Sequence, residues 1–127
     1  MKKLLCLLYP LIFFLTACQH DESPSNSELP AWLNNKIQLD EKTIKDNPKS
    51  MVGWGVWVKT QWDENTYFEY SNLLSSSIYF PISFAGDTLT TYIKEAGSDY
   101  SNQKCCAEVV WHGSQIDEDY LKLFHNN

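Results

Sequence analysis

The spacing of apolar residues first predicts a helix that begins near residue 30. Leu29, Leu33 and Ile37 recur at every fourth position, as the buried side of a helix requires. Residues 40–45 either continue this helix or form a second short turn. Asn47-Pro48 then ends the helical pattern, because the residue before a proline disfavours the helical conformation.

The segments that follow show the alternation of apolar and polar residues that is typical of half-buried strands. Residues 52–59 and 67–70 form the first two predicted strands, with a turn at residues 63–65 between them. The third strand, at residues 78–84, has the clearest alternation. Because Pro81 within it has no N–H to donate, we expect this strand to lie at an edge of the sheet or to be bulged.

The remainder of the chain predicts a hairpin, a loop, one more strand and a short helix. Ala85-Gly86-Asp87 suits a hairpin turn that leads into a partner strand at residues 89–95. Residues 97–103 are polar and are predicted to form a loop before a last strand at residues 107–111. Acidic residues at positions 117–119 then favour the start of a short helix, because they complement its dipole.

These elements predict an α+β domain, in which a small antiparallel β-meander sheet carries an N-terminal helix and a short C-terminal helix. An all-β sandwich or a small barrel is the alternative. The predicted domain spans residues 29–127, which is the usual size of one globular domain.

The beginning of the chain follows a different pattern, with a positive start and then an apolar run. Met1-Lys2-Lys3 precedes residues 4–15, which are apolar apart from three positions. A run of about a dozen residues is too short for a membrane-spanning helix, which needs about 20. The run fits the apolar region of a secretory signal, and it ends in Leu15-Thr16-Ala17-Cys18.

The segment Leu15-Thr16-Ala17-Cys18 resembles the lipobox of bacterial lipoproteins, in which an apolar residue and two small residues precede a cysteine. The resemblance implies that the signal at residues 1–17 is cleaved, that a diacylglycerol is attached to Cys18, and that the new amino terminus is acylated. Several acyl chains on one residue anchor a protein stably. Gln19, where an aspartate would imply the inner membrane, implies the outer membrane. A plain secretory signal with an incidental cysteine is the alternative.

Residues 18–28 connect the lipidated cysteine to the predicted domain. After Cys18 this segment contains polar residues, acidic residues and one proline, and no apolar side chain. A segment of this composition cannot bury enough surface to fold, so we expect a flexible tether.

Charge narrows the possible partners. Loss of Lys2 and Lys3 with the signal changes the formal net charge from −6 to −8, and the chain contains no arginine. Because arginine is the usual bidentate partner of phosphate, and a basic patch is the usual footprint of nucleic-acid binding, we expect no nucleic-acid partner. An acidic domain suits a basic envelope or extracellular protein, although solubility alone also accounts for the charge.

Cys105 and Cys106 are the two thiols that remain after removal of Cys6 and lipidation of Cys18. Outside the inner membrane such thiols tend to be oxidised. The Cα atoms of adjacent residues lie closer together than those of most disulfides. A vicinal disulfide, two free thiols, and an intermolecular or metal-bound pair therefore all remain open.

Other candidate catalytic and metal-binding residues lack the motifs that would support them. His112, Asp117, Asp119 and His125 could form a metal site, but no HExxH or calcium-loop pattern accompanies them. The serines at positions 75–77 are not part of a GxSxG elbow. We therefore predict no catalytic residue, no metal and no cofactor. A carbohydrate-active enzyme, which would need paired carboxylates, is the rival from another class.

Trp54 and Trp57 could form an aromatic platform for a sugar. Residues three apart on a strand, however, face opposite sides of the sheet. We therefore expect one of these side chains to lie in the core and the other to be exposed or covered by a helix.

Two further resemblances concern the domain. The opening Leu29-Pro30-Ala31-Trp32-Leu33 and the tyrosine-rich strands after it resemble small secreted bacterial proteins of unknown function. The run at residues 96–101, together with Trp111-His112-Gly113, resembles the lipoprotein inhibitors of c-type lysozyme, which implies a periplasmic inhibitor as an alternative function. Asp99 stands where those inhibitors have a basic residue, and their stapling cysteines are not recognisable. The sequence as a whole predicts a lipid-anchored envelope protein with a non-catalytic binding or structural domain.

Overall fold

The computed structural model describes residues 28–90 and 97–124, and it shows an N-terminal helix, an antiparallel sheet and a short C-terminal helix. The predicted α+β class is therefore confirmed, and the sandwich and barrel alternatives do not apply. The predicted signal, Cys18 and nearly all of the tether lie outside the described residues. So do residues 91–96, which carry most of the strand predicted at 89–95.

Helix α1 spans Ala31–Asp46, so residues 40–45 continue the first helix and do not form a separate turn. Its end at Asp46 confirms the stop predicted from Asn47-Pro48. Within the described chain, no helix is both long enough and apolar enough to cross a bilayer.

Two strands form the centre of the sheet, and both were predicted. Strand β1 spans Gly55–Trp62 and strand β2 spans Asn65–Asn72; they pair antiparallel along their whole length. Asp63 and Glu64 connect them with φ values of 48° and 61°. A two-residue turn with positive φ at both positions matches the right-handed twist of a hairpin. A short 3₁₀ turn at Met51–Trp54 takes the place of the first predicted strand residues.

The outer strands differ more from the prediction. Strand β3, Ile82–Ser83, pairs with β2, and strand β4, Cys105–His112, pairs with β1, so the order is β3-β2-β1-β4. The expected edge position beside Pro81 is confirmed, but the predicted strand at 78–84 is wrong over most of its length. Pro81 has no N–H to offer β2, so the ladder begins only at the next residue.

A second correction concerns the predicted polar loop at residues 97–103. This segment forms helix α2, Gly97–Gln103, and its residue Tyr100 is fully buried. The Tyr100 hydroxyl forms a 2.8 Å hydrogen bond with the Thr60 hydroxyl of β1. Because this contact joins residues 40 apart in the chain, local composition gave no sign of it.

Apolar clusters lie on both faces of the sheet. On one face, α1 packs Leu33 against Trp57 and Phe68. On the other face, Val56 and Val58 pack against Ile116 and the C-terminal helix.

The C-terminal helix α3 spans Glu118–Leu121, and a 3₁₀ turn at Lys122–Phe124 follows it. The carboxylate of Asp117 accepts a 2.8 Å hydrogen bond from the Tyr120 backbone N–H, which confirms the acid-capped start.

Candidate functional site

A cavity of about 450 Å³ opens between α1, the central strands and the irregular segment that precedes β3. Aromatic rings and isoleucines form most of its wall: Trp57, Tyr70, Tyr79, Phe80, Ile78 and Ile82. A volume of this size, with mainly apolar walls and a few polar groups, is typical of small-molecule sites, which measure about 300–1,000 Å³. We call this space the Trp57 cavity.

Three rings of the Trp57 cavity form a chain of contacts that runs from Trp57 through Tyr70 to Tyr79. The centroids of Trp57 and Tyr70 lie 5.0 Å apart, and those of Tyr70 and Tyr79 lie 4.9 Å apart with perpendicular planes. Gly55 makes room for this arrangement, because a Cβ there would overlap the Tyr70 hydroxyl and lie 2.8 Å from its ring carbon Cε2. Because Gly55, the first residue of β1, has no side chain, the Tyr70 ring of β2 can occupy this space.

Contacts between α1 and the turn after β3 hold two walls of the cavity together. The Trp32 indole nitrogen donates a 3.1 Å hydrogen bond to the Phe84 carbonyl. Gly86, with φ of 96°, lies against the Trp32 ring, where a Cβ would come within 3.3 Å of the ring carbon Cδ1. The predicted turn at residues 85–87 is thus present, and it packs on the helix.

The polar side chains on the cavity wall are few, and a buried indole N–H lies in the same region. Trp57 is 4% exposed, and its Nε1 has no hydrogen-bond partner among the described residues. Lys36 lies on the wall and forms an ion pair with buried Asp40, whose second carboxylate oxygen also has no partner there. Thr88 adds a hydroxyl group to the wall.

The rim of the cavity is unusually apolar. Ile78 is 70% exposed and Tyr79 is 40% exposed, and both line the cavity. A cluster of exposed apolar residues around a concave site is a feature of binding surfaces.

Cys105 and Cys106 lie elsewhere, at the start of edge strand β4. Both are exposed, and their Sγ atoms are in contact, as in a vicinal disulfide. Cys106 has a φ of 62°, beside an irregularity in the pairing of β4 with β1. Cys105 also lines a second cavity of about 280 Å³, where Lys104 binds both carboxylate oxygens of Glu69 at 2.8 and 2.9 Å.

Three of the residues considered for a metal site are described by the structure, and they do not converge. Asp117 caps α3, and Asp119 forms a 2.6 Å ion pair with Lys122. The His112 ring lies 3.2 Å from the Gly113 carbonyl, and His125 lies outside the described residues. Across residues 28–90 and 97–124, no three metal-ligating side chains come together.

The serine run is part of a loop. The Ser75 hydroxyl accepts hydrogen bonds from the Ser77 backbone N–H at 3.1 Å and from the Tyr79 hydroxyl at 3.4 Å. These hydrogen bonds lie within the loop that contains Tyr79, which lines the Trp57 cavity.

The two tryptophans lie on opposite faces of the sheet, although Trp54 ends a 3₁₀ turn and is not part of β1. Trp57 lies in the core beneath α1. Trp54 packs against the cluster of Val56, Val58 and Ile116 near the C-terminal helix. No joint Trp54–Trp57 platform exists. Tyr100, which the resemblance to lysozyme inhibitors would place in a loop, is fully buried in α2.

Sequence reasoning identified Trp57 but missed the Trp57 cavity. The cavity exists because residues 78–81 are not part of the sheet and lie beside it. Pro81 was the one local signal of this departure. The positions of Lys36 and Tyr70 depend on tertiary packing, which spacing along the chain does not show.

Comparison of the chain with protein-family models, with curated proteins and with solved structures found no match.

Proposed function

We propose that this chain is a lipid-anchored protein of the bacterial envelope whose single domain acts as a non-catalytic binding module. The anchor is supported by the apolar run that ends in Leu15-Thr16-Ala17-Cys18 and by the polar, acidic residues that follow it. The outer membrane is the proposed location, because Gln19 follows the cysteine.

The observation that supports binding is the Trp57 cavity. It combines a ligand-sized volume with aromatic walls and an exposed apolar rim. We propose binding rather than catalysis because the polar side chains on its wall are those of Lys36, Thr88 and the aromatic residues. Nucleophilic catalysis requires a nucleophile with an adjacent base.

The tether would keep this module close to the membrane. Residues 19–28 form a polar segment between the proposed lipid and the domain. Fully extended, about ten residues span roughly 33–36 Å. The cavity would therefore sample a shell near the bilayer surface.

Metabolic labelling tests the anchor directly, with a matched cysteine control from the same segment. Cells that express the wild-type chain are grown with labelled palmitate, beside cells that express Cys18→Ser or Cys6→Ser. We expect label in the wild type and in Cys6→Ser, and none in Cys18→Ser, because only Cys18 follows the lipobox pattern. Label that persists in Cys18→Ser would refute the anchor.

A further inference from the structure

We propose that the Trp57 cavity binds a small molecule with a flat apolar ring and a hydrogen-bond-accepting oxygen. This inference rests on the proposed role as a binding module and names the ligand class for its site. Three properties of the cavity carry it: the ring-lined walls, the donors on those walls, and the exposed apolar mouth.

The walls favour a ring. Tyr79 meets Tyr70 edge to face, and the tilted Tyr70 ring meets Trp57, so the cavity presents both faces and edges of aromatic groups. Aromatic rings prefer offset-stacked or edge-to-face partners, and such pairs contribute about 0.5–1.5 kcal/mol beyond the burial of area. Ile78 and Ile82 supply aliphatic surface next to the rings. A flat apolar molecule can use all of these contacts.

The polar groups favour an acceptor. The Lys36 ammonium can only donate, and nearly half of its side chain remains accessible beside its pair with Asp40. The Thr88 hydroxyl group adds a second donor on the wall. A ligand oxygen, above all a carboxylate oxygen, would accept a charge-assisted hydrogen bond from the Lys36 ammonium.

The apolar mouth favours a ligand that is mostly non-polar. Ile78, at 70% exposure, and Tyr79 form part of the wall and also face solvent. A bound ring would cover some of this surface, and burial of apolar area stabilises the complex by roughly 25 cal/mol per Å². A strongly hydrated sugar would gain less from these isoleucines than an aromatic or alicyclic ring.

The test uses 2-naphthoate as the probe and the full lipid-anchored protein in nanodiscs, labelled with ¹⁵N at the tryptophan indoles. Empty nanodiscs give the background partitioning of the probe. We expect saturable binding and a shift of the Trp57 indole N–H resonance, because a ring bound against Trp57 changes the ring current at its indole. The ammonium probe 2-naphthylmethylamine has the same ring without an acceptor. It should bind at least tenfold more weakly, although an acidic protein attracts it by charge.

Two variants on one loop provide the matched control. Ile78→Glu places a carboxylate on the cavity wall, whereas Leu74→Glu adds the same charge at an exposed position that does not line the cavity. Both side chains are largely exposed, so both variants should fold. We expect Ile78→Glu to weaken 2-naphthoate binding by about tenfold or more, which corresponds to about 1.4 kcal/mol, and Leu74→Glu to change it less than twofold.

Several results would overturn the proposal: no saturable binding, an unchanged Trp57 resonance, equal affinity for both naphthalene probes, or equal losses in the two variants. Saturation by N-acetylglucosamine with no response to 2-naphthoate would replace the ring class with a sugar. Saturation by the sugar would leave the proposed binding module in place and overturn only its ligand class, whereas palmitate labelling reports on the anchor alone.

Discussion

At the level of single residues, the shape of the Trp57 cavity depends on the missing side chain at Gly55. The Tyr70 ring occupies the space in which a Cβ at Gly55 would lie. The Tyr70 hydroxyl also accepts a 3.3 Å hydrogen bond from the side-chain amide of Asn72, which limits how far the ring can shift. The missing side chain at Gly55 on β1 therefore determines where the Tyr70 ring of β2 lies.

We predict that Gly55→Ala destabilises the fold by about 1–3 kcal/mol, the usual cost of overpacking. It should also weaken 2-naphthoate binding, because the displaced Tyr70 ring would enter the cavity. Urea denaturation and probe titration measure the two effects. In a Tyr70→Leu background the same glycine substitution should cost clearly less, because the clashing ring is absent. Equal costs in the two backgrounds would contradict this account of Gly55.

At the level of elements, local signals predicted those parts of the fold that local chemistry determines. The end of α1 follows from Asn47-Pro48, and the start of α3 follows from the acid at position 117. The β1–β2 pair follows from alternation and an intervening polar turn. Helix α2 could not be predicted from local signals, because it is stabilised by burial of Tyr100 against Thr60, which is distant in the sequence. The cavity did not follow either, because it lies between elements.

The β1–β2 turn gives a test at this scale. Glu64 adopts a φ of 61°, a conformation that is costly for residues with a Cβ and free for glycine. We predict that Glu64→Gly raises the free energy of unfolding by about 0.5–1 kcal/mol, since relief of strain exceeds the added chain entropy. Glu41→Gly, on the exposed side of α1, should lower it by about 1 kcal/mol. Thermal unfolding measures both, and a destabilised Glu64→Gly protein would contradict the prediction.

At the level of the whole molecule, charge and anchoring act together. The proposed mature chain has a formal charge of −8 and contains no arginine. We propose that any protein partner presents a basic face, since acidic surfaces attract basic ones and salt screens that attraction within roughly 8–10 Å at physiological ionic strength.

Retention of proteins from envelope extracts on the immobilised lipid-anchored chain tests the partner proposal. The retained proteins should be basic, and they should elute as salt is raised from low to moderate concentration. A c-type lysozyme is a simple basic reference protein for the same column. Retention of mainly acidic proteins, or retention that does not depend on salt, would refute the charge argument.

The central claim is that the chain ends its maturation as a lipoprotein, with Cys18 as its first residue. The most direct measurement is the intact mass of the protein extracted from the envelope, together with fragmentation of its amino terminus. We predict a polypeptide that begins at Cys18 and exceeds the mass of residues 18–127 by a diacylglycerol and one further acyl chain. A chain that begins at any other residue, or one with the mass of the unmodified polypeptide, would contradict the account.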